Sequence, residues 1–329
     1  MIIRDLVKTC SLQNHIKTQN LGAFSPWSEW TFTPSDQGIL VSRQITLVSS
    51  TTQYLLPTLS CAIPDLVKAW QCSLKSENEE QGSSLLFIGN QKARPNSTSE
   101  IQHHGDFWTV RAGLRHFEIS FFIKTQACIS QIQDTVFLFL STQNKTNTNH
   151  ALQAASSKEI ISHNLDGISQ MIQDTPEKRR ICSVCSTAML LNFASQSNIY
   201  STKISQLMSM MHDPLWKIYG VWPRAIWAMN QNGYNGFISF CNDQKKFYEL
   251  LLKHPIAASI SFAKGELVNS PLSATPGHLV VIAGIDSIQK KIGVYDPSAS
   301  HSESSYLEYD FMQFWQAWQN NNNVYYSIF

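Results

Sequence analysis

Gly277-His278-Leu279-Val280-Val281-Ile282-Ala283-Gly284-Ile285-Asp286 is followed, across Lys290 and Lys291, by Ile292-Gly293-Val294-Tyr295-Asp296-Pro297. The run Leu279–Ala283 reads as an apolar strand, and Ile292–Tyr295 as a shorter strand stopped by Pro297. If the two form a hairpin turning near Ser287, His278 and Asp296 lie almost opposite, and opposed side chains on paired strands are about 5 Å apart. At that spacing a carboxylate orients an imidazole, fixes its tautomer and stabilises its cation. A lone histidine at a strand start is more often structural. The Asp-Pro at the matching end of the second strand is what points to chemistry.

Working upstream, Cys182 follows Lys178, Arg179 and Arg180 and opens a helix predicted over Cys182–Ala194, where Met189, Leu190 and Phe193 approach helical spacing. A cysteine attacks a carbonyl only as its thiolate, and a helix N-terminus beside positive side chains lowers the thiol pKa. By itself the segment fits a small buried residue equally well. A helix-start cysteine ahead of a His–hairpin–Asp unit is a stronger pattern.

Residues 168–329 resemble the stand-alone bacterial peptidases related to the bacteriocin-processing (double-glycine leader) cysteine peptidases, within the papain superfamily. The resemblance runs in order through Ser169-Gln170-Met171, Arg180-Ile181-Cys182-Ser183 with Ser186 and Met189, and Gly220-Val221-Trp222-Pro223. It continues through Ile256–Phe262, Gly265-Glu266-Leu267, Gly277–Asp286, Val294–Pro297, Phe314–Trp318 and Val324–Tyr326. It implies a papain-like fold with Cys182 as nucleophile, His278 as general base, Asp296 as its orienting partner and Gln170 as a donor to the oxyanion. A side-chain amide together with the Cys182 N–H makes a two-donor hole. The implied reaction is peptide-bond hydrolysis through a thioester acyl-enzyme, on a peptide or protein substrate and with no cofactor or metal. Acyl transfer or deamidation uses the same machinery, and a non-catalytic binding protein keeping the fold is the alternative of another class.

The chain departs from the family in one place. Val184-Cys185-Ser186 stands where the family usually has Pro-Thr-Ser. Cys185 lies one helical turn from Cys182, so a reversible disulfide between them is conceivable under mild oxidation. A buried filler is the simpler reading, and no βαβ unit precedes the pair to make it a thioredoxin-type C-x-x-C. No second ligand pair is spaced for zinc.

Ahead of this region the pattern is different. Short β runs recur at Ile39–Val48, Tyr54–Leu59, Leu66–Ser73, Leu85–Gly89, Phe107–Gly113, His116–Lys124 and Thr135–Ser141, separated by polar or Gly/Pro/Asn clusters. The expected fold class is α+β: a β-sandwich-like accessory domain over 1–145, a linker over 146–160 and a peptidase domain over 161–329. Further helices are expected over Gln244–Lys253 and along the Phe311, Phe314, Trp315, Trp318 stripe, with strands at Ile256–Phe262, His278–Ile285, Ile292–Tyr295 and Val324–Ile328. Tyr54-Leu55-Leu56-Pro57 and Trp108-Thr109-Val110-Arg111 weakly resemble β-sandwich modules found ahead of such peptidases, which fits a substrate-positioning module or a structural platform. His103-His104-Gly105-Asp106 reads as a turn rather than a metal site. Trp27-Ser28-Glu29-Trp30 and the Phe311–Trp318 stripe read as packing.

Composition limits the partners. The 329 residues are 43% hydrophobic and 15% charged with a net charge of +1, which leaves little disorder and no electrostatic footprint for nucleic acid. Arg4 and Asp5 interrupt any apolar N-terminal run, and no window approaches a membrane span. Seven scattered cysteines read as reduced thiols. A cytoplasmic location is expected, with signal-independent export open.

Overall fold

β-Branched and aromatic residues alternating with polar ones account for the strands of the first 144 residues. The structure, a computed structural model, describes residues 21–23, 30–49, 51–77, 83–88, 97–98, 100–104, 106–144, 160–241 and 243–329. The predicted linker at 146–160 and the Trp27–Glu29 stretch therefore lie outside the described residues, apart from Ile160. The strands are β1 (Leu21–Ala23), β2 (Thr31–Ser35), β3 (Gly38–Ser49), β4 (Gln53–Ser60), β5 (Ala69–Ser76), β6 (Ser83–Ile88), β7 (Ile101–His103), β8 (Trp108–Val110), β9 (Gly113–Lys124) and β10 (Phe137–Asn144). A short helix, α1 (Ile129–Thr135), joins β9 to β10.

Two five-stranded antiparallel sheets result, ordered β1-β10-β4-β8-β7 and β2-β3-β9-β5-β6. Val41, Trp70, Phe121 and Ile123 from one share a buried core with Leu55, Leu59, Trp108 and Leu138 from the other. His104 and Asp106 lie between the paired strands β7 and β8, in which His103 pairs with Trp108. Trp30 is buried against the edge of Phe121.

From residue 160 onward the elements are β11 (Ile160–Ser162), α2 (Cys182–Ser195), α3 (Ile204–Met211), α4 (Trp222–Gln231), β12 (Gly236–Phe240), α5 (Gln244–Leu251), β13 (Ile256–Phe262), β14 (Thr275–Asp286), β15 (Lys291–Tyr295), β16 (Tyr306–Asp310), α6 (Phe311–Gln319) and β17 (Val324–Ile328). Ile160, the last residue of the expected linker, already pairs with Asp286. The seven-stranded sheet runs β12-β17-β13-β14-β15-β16, with β11 on the far end of β14. Its inner strands β17, β13 and β15, and β14 from His278 on, are largely buried on both faces and read as nearly continuous apolar runs. Ala257, Val281 and Tyr326 pack under α2, α3 and α4, while their neighbours Ala258, Val280 and Tyr325 pack under α5 and α6. The Phe311, Phe314, Trp315, Trp318 stripe is core, buried along its length. Asp310 caps that helix by accepting from Met312 N and Gln313 N.

Helices α3 and α4 and strands β12 and β16 lie outside the sequence expectations. Pro223 falls in the first turn of α4, where its missing N–H leaves no intrahelical bond unmade. Strand β16 runs into α6 without a turn, so no local signal separates the two.

The β14–β15 register corrects the hairpin geometry. Asp286 pairs with Lys291, and the Asp286 carboxylate accepts from Ile288 N and Gln289 N to shape the turn. The register then shifts between Ile282 and Gly284, so Val281 faces Tyr295. Continued one step past the strand end, it sets Asp296 across from Val280, two residues from His278 rather than opposite it. Ala283 is the extra residue of this bulge. Without it, Asp296 would fall across from Val281 and on the other side of the sheet from His278.

The sheet-rich first part and the rest of the chain share packing. Leu56 of β4 belongs to the core beneath α2, and Val221 belongs to the core between the first two sheets. Ser141 Oγ donates to Ile238 O at 2.9 Å, and Gly236 N donates to Ser60 Oγ at 2.9 Å.

Gly284 sits beside the bulge, where an ideal Cβ would lie 2.6 Å from the Ile161 carbonyl oxygen. The Gly284→Ala protein is expected to lose about 1–3 kcal/mol of stability, as overpacked sites do. Urea denaturation checks this, and an unchanged midpoint would mean that β11 yields freely.

Candidate active site

Helix α2 begins at Cys182, and Ile181 before it has no polar side chain, so the first-turn N–H groups have no side-chain cap. No acidic residue occupies that turn. The helix is fixed over β14 by Ser186 Oγ, which donates to Leu279 O at 3.1 Å, and over β17 by Ser183 Oγ and the Tyr326 hydroxyl at 3.3 Å. Cys182 is thereby held against the residue preceding Leu279, which is His278. The two side chains interact there.

His278 is buried, and its Nε2 lies 2.7 Å from Asp296 Oδ1. That leaves Nδ1 to face the Cys182 sulfur. Burial alone would lower the imidazole pKa, but the Asp296 charge and hydrogen bond, followed by Cys182, raise it well above the ordinary value. For Cys182, burial raises the thiol pKa. Hydrogen bonding and charge from His278, with the Leu279 and Ser183 backbone, outweigh it and lower the thiol below its usual range.

Asp296 has no exposed surface, and four donors meet it. Oδ1 accepts from His278, from Ser298 N at 2.8 Å and from Ser298 Oγ at 2.6 Å. Oδ2 accepts from the Tyr309 hydroxyl at 3.0 Å. Burial would raise this carboxyl, but His278 and Ser298 hold it below the ordinary range. Ser298 and Tyr309 are absent from the sequence reading. An Asp-Pro-Ser turn could have suggested Ser298. Tyr309 lies on β16, and nothing local to it signals the contact.

Gln170 reaches the same corner by its backbone. Its N–H donates to Pro297 O at 2.8 Å, directly after Asp296. Around it, Ser169 Oγ donates to Ala299 O, Ser169 N donates to Ser302 Oγ, and Gly167 leaves no room for a Cβ beside Ser305. The Gln170 side chain is buried, and among the described residues its Oε1 has no hydrogen-bond partner.

Cys185 points away from this site into the core beneath α2, fully buried. Burial and then the Cys182 charge push its thiol far up, so it stays protonated. The His103–Asp106 turn is engaged elsewhere. The His104 ring stacks on Phe107 at 4.9 Å, and Asp106 Oδ2 accepts from Trp222 N at 3.2 Å.

Residues 163–326 match the sequence model of the Peptidase_C39 like family. These residues are thus similar to the C39-like peptidases, the family that the resemblance implied. A crystal structure from Bacillus anthracis, described as that of a C39-like peptidase candidate, is 17% identical, covers 52% of this chain and 98% of its own, and superposes with a TM-score of 0.38. No curated protein matches the chain. No helix among the described residues is long and apolar enough to cross a membrane.

Among the described cysteines, two thiols should react with iodoacetamide near neutral pH: Cys182, and the exposed Cys128, whose thiol is lowered by its hydrogen bond to Ser130. Buried Cys61, Cys72, Cys185 and Cys241 should not. Cys182 should react as a thiolate from below the ordinary thiol range, and His278→Ala should move that onset upward while leaving Cys128 unchanged. Peptide mapping across a pH series reads both. Labelling of Cys185 in preference to Cys182 would contradict the geometry.

Proposed function

We propose that this chain is a cysteine peptidase that hydrolyses peptide bonds through a Cys182–His278–Asp296 triad and a thioester acyl-enzyme. The observation that carries the reading is the line from the helix-start thiol to a buried imidazole that interacts with it and is itself hydrogen-bonded to a buried carboxylate. The C39-like family match of the same residues supports it.

The Cys182 thiolate, paired with the His278 imidazolium, adds to the scissile carbonyl carbon. Negative charge moves to the carbonyl oxygen, which accepts from the Cys182 N–H and the Gln170 side-chain N–H. One such donor is typically worth about 3 kcal/mol in the transition state. As the tetrahedral species collapses, the C–N bond breaks and His278 Nδ1 gives its proton to the leaving amine, forming the thioester. His278, now neutral, takes a proton from water as that water adds to the thioester. Collapse of the second tetrahedral species releases the acid and restores the thiolate–imidazolium pair. Asp296 takes no proton. It holds His278 by Nε2 so that Nδ1 meets both the sulfur and the leaving nitrogen.

Cleavage of internally quenched peptides by the intact chain tests this. Cys182→Ala should abolish turnover. Asp296→Asn should keep the fold and lower kcat by less than the roughly 10⁴-fold known for the Ser-His-Asp triad, because a thiolate–imidazolium pair depends less on its third member. If intact mass shows side-chain amides turned to carboxylates while the backbone stays whole, the enzyme is a deamidase instead.

A further inference from the structure

A second set of contacts runs from the N-terminal sheets to the residues just ahead of Cys182. Asp213 and Ile218 close a tight turn, with Asp213 N donating to Ile218 O at 2.8 Å and Lys217 N donating to Asp213 O at 2.7 Å. Asp213 Oδ1 accepts from Leu215 N and Trp216 N, and Oδ2 accepts from Arg224 Nε at 2.8 Å in an ion pair shielded from solvent. At the tip Trp216 leaves 50% of its surface exposed, with Ile218 at 39% beside it. Such a turn is rigid at its base and apolar at its tip.

Two braces fix where this turn sits. On one side Arg180 Nη2 donates to Lys217 O at 2.9 Å, tying the turn to the residue two positions before the nucleophile. Ile172, 54% exposed and two residues after Gln170, lies in the same segment. On the other side the N-terminal sheets grip the start of α4. Asp106 Oδ2 accepts from Trp222 N, the Phe107 ring stacks on Trp222 at 6.1 Å, and Tyr54 meets Phe107 edge-on at 5.6 Å. Val221 is buried in the core between the first two sheets. The turn is therefore suspended between the sheets and the catalytic helix.

We infer that the Asp213–Trp222 loop is a specificity-determining wall of the peptide-binding site, that Trp216 receives a bulky apolar side chain of the substrate, and that Phe107 positions the wall from the N-terminal sheets. The inference rests on the peptidase reading above. An exposed tryptophan on a loop with both ends pinned gives a large apolar contact area at small conformational cost. Phe107 acts through Trp222 and touches no substrate, so it is a positioning residue.

The test is a library of internally quenched peptides varied one position at a time, cleaved by the intact chain. At one position, large apolar residues should be preferred to glycine by about tenfold or more in kcat/KM, the scale an apolar pocket gives. Trp216→Ala should cut that ratio about fivefold or more. Phe107→Ala should cut it in the same direction, and Phe107→Tyr, which keeps the stacked ring, should restore it. If Phe107 were only structural, its loss would lower kcat for all peptides alike and leave the ratio unmoved. An unchanged ratio in Trp216→Ala overturns the inference. If the wild type cleaves nothing, the peptidase reading fails by itself. The same peptides, dye-labelled, are then titrated onto the Cys182→Ala protein by fluorescence polarisation. A Trp216-dependent preference for the apolar peptides upholds the wall as a binding site, and its absence sinks it.

Discussion

A carboxylate with no exposed surface, Asp296, must find compensation inside the protein, because an unpaired buried charge is not tolerated. Its partners come from separate parts of the chain: His278 from β14, Ser298 from the turn after β15, and Tyr309 from β16. Satisfying the charge thus sets the relative positions of three consecutive strands of the sheet. The turn after Asp296 is held in its turn by Ser169 and the Gln170 backbone, so the candidate oxyanion donor is placed by the same frame. Removing one member of such a buried pair typically costs about 3–5 kcal/mol. The site and the fold are therefore not separable at this point. The arrangement that ionises Asp296 also keeps His278 protonated opposite Cys182.

The His278–Asp296 pairing is legible in the sequence because a strand, a turn and a strand are local, and because a proline marks where the second strand ends. Its finer geometry is not. The bulge at Ala283 leaves no composition signal, yet without it Asp296 would lie across from Val281, on the other side of the sheet from His278, instead of diagonal to His278 on the same side. Ser298 and Tyr309 escape notice for a related reason. A hydrogen bond to a carboxylate can come from any hydroxyl that the fold brings near, and periodicity says nothing about which one does. Cys182 is legible as a helix opener, whereas Ser186, which anchors that helix to Leu279, reads only as a polar residue on an apolar face.

In the first 144 residues the strands are legible and their use is not. Alternation identifies β3, β9 and β10 well, since it reports which residues face a core. It does not report that Leu56 leaves that core for the one beneath α2, or that Val221 comes back the other way. The exchanged residues make the boundary between the sheets and the C39-like region a packed surface. Polar contacts such as Ser141 to Ile238 O then fix its register. A module merely tethered by a linker would need neither.

The departure at Val184-Cys185-Ser186 is resolved by where those side chains go. A proline in the first helical turn would preset the backbone, but α2 is fixed by other means: Val184 and Cys185 are buried in the core, and Ser186 is bonded to the sheet. Cys185 fills space there, and its burial works against the redox pairing that the C-x-x-C spacing permits. A disulfide with Cys182 needs Cβ atoms roughly 3.5–4.5 Å apart and converging. Reaching that geometry would draw Cys185 out of a dry site and open a cavity under the helix. It would also need an ionised or accessible Cys185, whereas burial and the neighbouring Cys182 charge both keep that thiol protonated. Any negative charge on Cys182 thus holds its neighbour protonated, and the second cysteine supports the turn on which the first stands.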